Sequence, residues 1–195
     1  MVMNCEKPQR RSVRMGGYDY SSCGAYFVTV CTDRRMNIFG SIKDGKMVLN
    51  EAGKIAEENW LEIPQHFPLV SLYEHVVMPN HFHGVLFIED CRGTACRAHV
   101  RSFGKPDSSS LSTVVRSYKS SVTKRINELC QMLDVPVWQR GFYEHIIRND
   151  NEMYEIQMYI QNNPMQWELD EENPVKRENA GTGTACRAPT TRGNP

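Results

Sequence analysis

The apolar positions change period several times along the chain, and each change marks an element. Ala25-Tyr-Phe-Val-Thr-Val-Cys-Thr32 is rich in β-branched and aromatic residues and predicts a strand. Asn37-Ile-Phe-Gly, Asp44-Gly45 and Met47-Val-Leu follow, and an Asp-Gly pair between short apolar runs signals a hairpin. From Asn50 to about Phe67 the spacing turns helical. Ile55, Trp60, Leu61 and Ile63 share one broad face, Asn50 is placed to cap it, and Pro64 disturbs the last turn. Leu72 to Met78 predicts a strand, Pro79-Asn80 breaks it, and His81 to Ile88 predicts another. A break that short joins the two most simply as antiparallel neighbours.

Residues 89–109 read as a loop. A second helix is expected from about Leu111 to Leu133, with Val114, Val115, Tyr118, Val122, Ile126 and Leu129 at helical spacing and Ser110 as cap. Val137 to Ile147 predicts a strand interrupted at Arg140-Gly141. Asn149-Asp150 then caps a helix from about Asn151 to Asn163, which Pro164 stops. Residues 1–20 are a polar, basic arm. Residues 168–195, acidic and then rich in Gly, Thr, Arg and Pro, predict a disordered tail. One domain therefore spans 21–167. Its strands and helices interleave around a central antiparallel pair, which predicts an α+β fold of ferredoxin-like type: an antiparallel sheet with helices packed on it.

Composition narrows the picture less than distribution does. Lys+Arg and Asp+Glu both total 23 in 195 residues, so net charge neither favours nor opposes nucleic acid. Basic residues collect early, at Lys7, Arg10, Arg11, Arg14, Arg34 and Arg35. More lie mid-chain, at Arg97, Arg101, Lys105, Arg116, Lys119, Lys124 and Arg125. Acids collect late, from Glu152 to Glu172. No run has the ~18 apolar residues of a membrane helix, and the first residues lack the apolar core of a signal peptide. Seven scattered cysteines without a CxxC pair predict free thiols in a reducing compartment, the cytoplasm by default. Gly93-Thr-Ala-Cys-Arg-Ala98 recurs as Gly183-Thr-Ala-Cys-Arg-Ala188. Six residues are too few for a structural repeat. We hypothesise one DNA element read through twice in frame; coding copies that differ at most codon positions would refute it.

Chemistry concentrates at His81-Phe82-His83. On a strand the two imidazoles share a face, with Val85 and Phe87 continuing it. Such a pair either ligates one metal or is two strand histidines with ordinary hydrogen-bond partners. Tyr159 and Asn163, four apart on the last helix, also share a face. They either complete a site above the histidines or are a half-buried aromatic and a cap-region residue. Mg²⁺ and Mn²⁺ accept oxygen ligands and tolerate imidazole. A tyrosine attacks a phosphodiester as its phenolate, and a metal polarises the scissile phosphate.

Met78-Pro79-Asn80-His81-Phe82-His83 resembles the HUH motif of single-tyrosine transposases, and most of all their REP-associated branch. Arg14-Met-Gly-Gly-Tyr-Asp-Tyr20, Ala25-Tyr-Phe-Val-Thr29, Trp138-Gln-Arg-Gly-Phe-Tyr-Glu-His-Ile-Ile-Arg148 and Tyr159-Ile-Gln-Asn-Asn-Pro164 agree in order. The resemblance implies a divalent metal, Mg²⁺ or Mn²⁺, and cleavage and rejoining of single-stranded DNA at palindromic hairpins. A covalent 5′-phosphotyrosine intermediate is implied as well. It makes Tyr159 the nucleophile and His81, His83 and Asn163 the metal ligands. Tyr143 and Tyr154 fall outside that register and are read as structural. Trp138, Gln139, Arg140, Glu144 and His145 match a family segment without assigned roles.

Arg10, Arg11 and Arg14 are candidates to neutralise phosphates, and Tyr18 and Tyr20 to stack on bases. Arg116, Lys119 and Lys124 either line the DNA path or face water. The expected partner is single-stranded or hairpin DNA, handled by a monomer or a homodimer near the nucleoid, with no membrane. The competing reading is a hairpin-binding protein without catalysis. A third is a metal hydrolase using water.

Overall fold

Residues 23–89, 110–132, 135–169 and 173 are described by a computed structural model. The basic arm, the loop at 90–109, both hexapeptide copies and nearly all of the tail lie outside them. The first strand forms as β1 (Gly24–Cys31), and every residue after Gly24 is buried. That burial on both faces explains a continuous apolar run rather than an alternating one. β2 (Gly40–Lys43) and β3 (Lys46–Leu49) form the expected hairpin as a separate two-stranded sheet. Asp44 and Gly45 take φ of 51° and 70°, the left-handed turn that Asp-Gly favours.

The helix expected at 50–67 is two. Asn50 caps α1 (Glu51–Leu61), its side chain accepting from Gly53 N at 2.9 Å. Pro64 has no N–H to continue the ladder, so the chain restarts as α2 (Ile63–His66). Leu61 does not join the apolar face; it is 53% exposed, whereas Gly53, Ala56, Asn59 and Trp60 are buried. β4 (Val70–Val77) and β5 (His81–Ile88) follow as an antiparallel pair.

α3 (Leu111–Leu129) stops earlier than expected, since Gln131 takes φ of 53°, and Leu129 is 51% exposed. The Ser110 hydroxyl lies 3.0 Å from the Thr113 hydroxyl and caps no amide. β6 (Tyr143–Ile147) occupies only the second part of 137–147. Trp138 makes an isolated bridge to Thr32, and Gly141 turns the chain at φ of 84°. α4 (Asp150–Asn162) begins at Asn149, whose side chain accepts from Glu152 N at 2.9 Å. A short 3-10 turn follows at Trp167–Leu169, and buried Asn173 donates to the Trp167 carbonyl at 3.0 Å.

The main sheet has the order β4-β5-β1-β6, with every neighbouring pair antiparallel. This is the ferredoxin-like α+β topology that the interleaving predicts. Strand alternation then sorts the side chains. Tyr26, Val28, Val30, Phe82, Leu86 and Ile88 pack with Trp60 of α1 and with Val114, Val115, Tyr118 and Val122 of α3. Ala25, Phe27, Val85 and Ile147 pack on the other face with Ile156 and Ile160 of α4. His81 and His83 share that second face. Among the described residues no helix is long and apolar enough to cross a membrane.

Gly84 shows how tightly the first face is filled. A Cβ there would lie 2.5 Å from Cζ2 of Trp60 and 2.9 Å from the Phe82 ring. Trp60 is fully buried and packs against Phe82 with the rings tilted and centroids 4.6 Å apart, so neither ring has room to withdraw. Gly84→Ala should therefore destabilise the protein by roughly 2 kcal/mol or more, read as a lower urea midpoint at unchanged slope. Trp60→Phe in the same chain should recover part of the loss.

Candidate active site

Antiparallel register sets the neighbours of the two histidines. His83 lies opposite Thr29, and His81 lies opposite Cys31. Nδ1 of His83 is 2.7 Å from the Thr29 hydroxyl, and Nδ1 of His81 is 2.9 Å from Oδ1 of Asn80. Asn80 is fully buried, and its Nδ2 donates to the Arg35 carbonyl at 3.2 Å. That bond orients the amide so that Oδ1 accepts. His81 therefore carries its proton on Nδ1 and leaves Nε2 as a lone pair.

Both histidines are buried and neutral. Burial pulls the His83 pKa down to about 3. Burial, helped by His83 and Arg35, lowers His81 well below the usual histidine range, and the Asn163 side chain opposes this only in part. Neutral imidazole is the form that binds a cation. The two rings meet edge to face with centroids 4.5 Å apart.

The apolar side of α4 seats its functional residues. Ile156 and Ile160 pack on the sheet, and Tyr159 and Asn163 lie next to them in the helical repeat. The Tyr159 hydroxyl is 3.4 Å from Nε2 of His83, with its ring edge-on to Phe27 at 6.1 Å. Asn163, the C-cap of α4, is 2% exposed. Its Oδ1 and Nε2 of His81 are buried acceptors without a hydrogen-bond partner. Two such lone pairs in one dry site are costly unless a proton donor or a cation satisfies them.

The donor set suits a divalent cation: Nε2 of His81, Nε2 of His83 and Oδ1 of Asn163. It has no carboxylate; among the described residues no group of three or more His, Cys, Asp or Glu could hold a metal. The sequence-derived quartet of His81, His83, Tyr159 and Asn163 is thus brought to one place. Thr29 and Asn80, which orient the rings, escaped sequence reasoning. So did Trp167, which lies against His81 at 5.9 Å between ring centroids. Asn80 adjoins the HxH string, but nothing local pairs Thr29 with His83.

The other candidates lie apart. Arg116, Lys119 and Lys124 sit on α3, across the sheet from α4. With Arg140 they line an open groove between α3 and residues 135–141. Lys119 donates to the carbonyls of Gln139 and Gly141 at 2.7 and 2.6 Å, and burial lowers its pKa to about 8. Nζ of Lys124 is 3.9 Å from Glu128. Trp138 is buried in the first core and Tyr143 borders the second, whereas Tyr154 points to solvent. Arg10, Arg11, Arg14, Tyr18 and Tyr20 fall outside the described residues.

His145 has a partner that ties α4 to β6. Its Nε2 is 2.6 Å from Oε1 of Glu152, whose Oε2 accepts from Arg148 N at 2.7 Å. Burial works against the Glu152 carboxylate, yet the Arg148 N–H and His145 hold its pKa below the usual range. A depressed carboxylate pKa contributes stability above its unfolded value, near ~4.3, that disappears as pH falls through the folded value. Glu152→Gln should therefore lower the melting temperature at pH 7, and the gap to the parent should close below about pH 4.

No family model matches the sequence. A REP-associated tyrosine transposase bound to a REP hairpin is similar in structure, with a TM-score of 0.49 at 19% identity, over 88% of this chain and 92% of that one. A candidate transposase from Deinococcus radiodurans gives 0.44 at 17%, over 76% and 95%. An uncharacterized protein of Haemophilus influenzae is 39% identical over 167 residues, 83% of this chain and 92% of that protein. At that identity and coverage, this chain belongs to the same family as the Haemophilus influenzae protein.

Proposed function

We propose that the protein is a REP-associated tyrosine transposase that cleaves and rejoins single-stranded DNA at palindromic hairpins. The observation that carries this reading is the Tyr159 hydroxyl 3.4 Å from Nε2 of His83, beside the unsatisfied acceptors of His81 and Asn163. A tyrosine hydroxyl beside two buried neutral imidazoles puts a nucleophile and cation ligands in one place, which suits phosphodiester transfer. The ordered motif matches from Arg14 to Pro164 point the same way.

In this reading Tyr159 gives up its hydroxyl proton to solvent and attacks the scissile phosphorus as its phenolate. The bond from phosphorus to the 3′ oxygen breaks, and that oxygen leaves and takes a proton from solvent. The 5′ end stays on Tyr159 as a phosphotyrosine ester. A 3′-hydroxyl attacking that ester expels the phenolate and rejoins DNA without ATP. His81, His83 and Asn163 would hold Mg²⁺ or Mn²⁺, which when bound polarises the phosphate and offsets developing charge. Thr29 and Asn80 hold the two Nδ1 atoms, so both Nε2 atoms are turned toward the reacting centre.

The groove bearing Arg116, Lys124 and Arg140 is basic and accessible, and we assign it, with the N-terminal arm, to the DNA backbone. The test uses a labelled single-stranded oligonucleotide carrying a palindrome from DNA beside the gene, with Mn²⁺. The expected result is a covalent adduct that survives denaturation, plus a free 3′-hydroxyl fragment. Cleavage without an adduct would point to a water-using hydrolase. Tight hairpin binding without cleavage under any divalent metal would point to a binding module.

A further inference from the structure

Strand β4 departs from regular pairing at one place. Leu72 pairs with Leu86, but His75 pairs with Gly84, so three steps on β4 match two on β5. The extra residue is a β-bulge, a feature that re-aims side chains near functional sites. Without it, strict alternation from Leu72 would put Glu74 on the α1 and α3 face. With it, His75 takes that face, where its Nε2 is 3.9 Å from Glu57 and its ring stacks on Phe82. Val76, paired with His83, likewise takes the α4 face.

Glu74 is thereby turned toward α4, where its Oε2 accepts from Nε2 of Gln157 at 2.7 Å. The two residues are 83 positions apart in sequence. Gln157 is two positions before Tyr159. At the other end of α4, Glu152 holds His145 of β6. Because β4 and β6 are the two edges of the sheet, polar links tie α4 to both sides of the strands that carry His81, His83 and Thr29.

We propose that the β4 bulge and the Glu74–Gln157 hydrogen bond set the register of α4 on the sheet and so hold Tyr159 over His83. Glu74 and Gln157 act as positioning residues. The apolar contacts of Ile156 and Ile160 resist separation of the helix from the sheet but are poor at preventing it from sliding or rolling. A charge-assisted hydrogen bond is directional and fixes that freedom. The inference rests on the transposase reading for its consequence in catalysis, not for the link itself.

The test compares the full-length parent with Gln157→Glu, Glu74→Gln and the double variant. Gln157→Glu sets two carboxylates against each other; adding Glu74→Gln restores one donor and one acceptor with direction reversed. Amide hydrogen exchange across 156–163 reports the link without any substrate. Single-turnover adduct formation on the palindromic oligonucleotide with Mn²⁺ reports its consequence. Gln157→Glu should raise exchange and slow adduct formation at saturating DNA, each by about tenfold. The DNA concentration at half-saturation should stay unchanged, and the double variant should recover both rates.

Unchanged exchange in Gln157→Glu overturns the link. Faster exchange with an undiminished adduct rate makes the link structural only and overturns the positioning role, as does failure of the double variant to recover. If the parent itself forms no adduct while exchange responds and is rescued, the transposase reading fails and the α4 register link stands.

Discussion

Tyr159→Phe should abolish the covalent protein–DNA adduct while leaving the fold in place. The substitution removes one oxygen. The ring keeps its edgewise contacts with Phe27 and His83, at 6.1 and 5.3 Å between centroids. The loss of stability should be no more than about 1 kcal/mol, the usual net value of one hydrogen bond. Adduct formation should fall below detection, because phenylalanine has no oxygen to form the ester. Two other described tyrosines are badly placed to substitute: Tyr154 faces solvent, and Tyr118 is buried on the α1 and α3 face with its hydroxyl bonded to the Ala56 carbonyl at 3.2 Å. Phosphotyrosine mapping of the parent adduct gives the complementary check. An adduct retained by Tyr159→Phe would sink the nucleophile assignment.

The second large effect concerns the cation. His81→Ala and His83→Ala should each lower Mn²⁺ affinity by about a hundredfold or more, measured by calorimetry without DNA. Asn163→Ala should lower it less, since a neutral amide oxygen contributes less than a neutral imidazole. Cation binding is read here without turnover. Nε2 of His81 and Oδ1 of Asn163 are both buried acceptors without partners, and the Asn80 amide forbids His81 from moving its proton to Nε2 unless that whole chain of bonds reverses. His83→Ala also removes a ring stacked on Phe27 at 5.3 Å, so its thermal stability needs to be measured alongside. His81→Ala carries the cleaner test. Unchanged Mn²⁺ affinity in both single variants would place the cation elsewhere.

Much of the fold is legible in the sequence where cause and effect lie close along the chain. Asp44-Gly45 turns the hairpin because those two residues tolerate positive φ, and Asn50 and Asn149 cap helices because each reaches an amide three residues on. The errors are of the same local kind. Pro64 divides a helix that periodicity reads as one, and Leu61 and Leu129 are exposed despite their helical spacing. Periodicity places a residue on a helix but does not decide how wide the covered face is.

The candidate site divides in the same way. That His81 and His83 share a face follows from the two-residue strand repeat, and that Tyr159 and Asn163 share one follows from the helical repeat. Those four residues, and the motif strings around them, are properties of the sequence by itself. What joins the two pairs is tertiary. Thr29 reaches His83 across 54 positions, Tyr159 reaches it across 76, and a bulge turns Glu74 to Gln157 across 83. Backbone pairing sets which strand residues stand opposite each other, and one inserted residue reverses the face of a side chain. The chemical groups and their local spacing are set along the chain. Only the assembled sheet, with α4 laid across it, decided that they meet, because strand register and helix placement depend on contacts between distant parts of the chain.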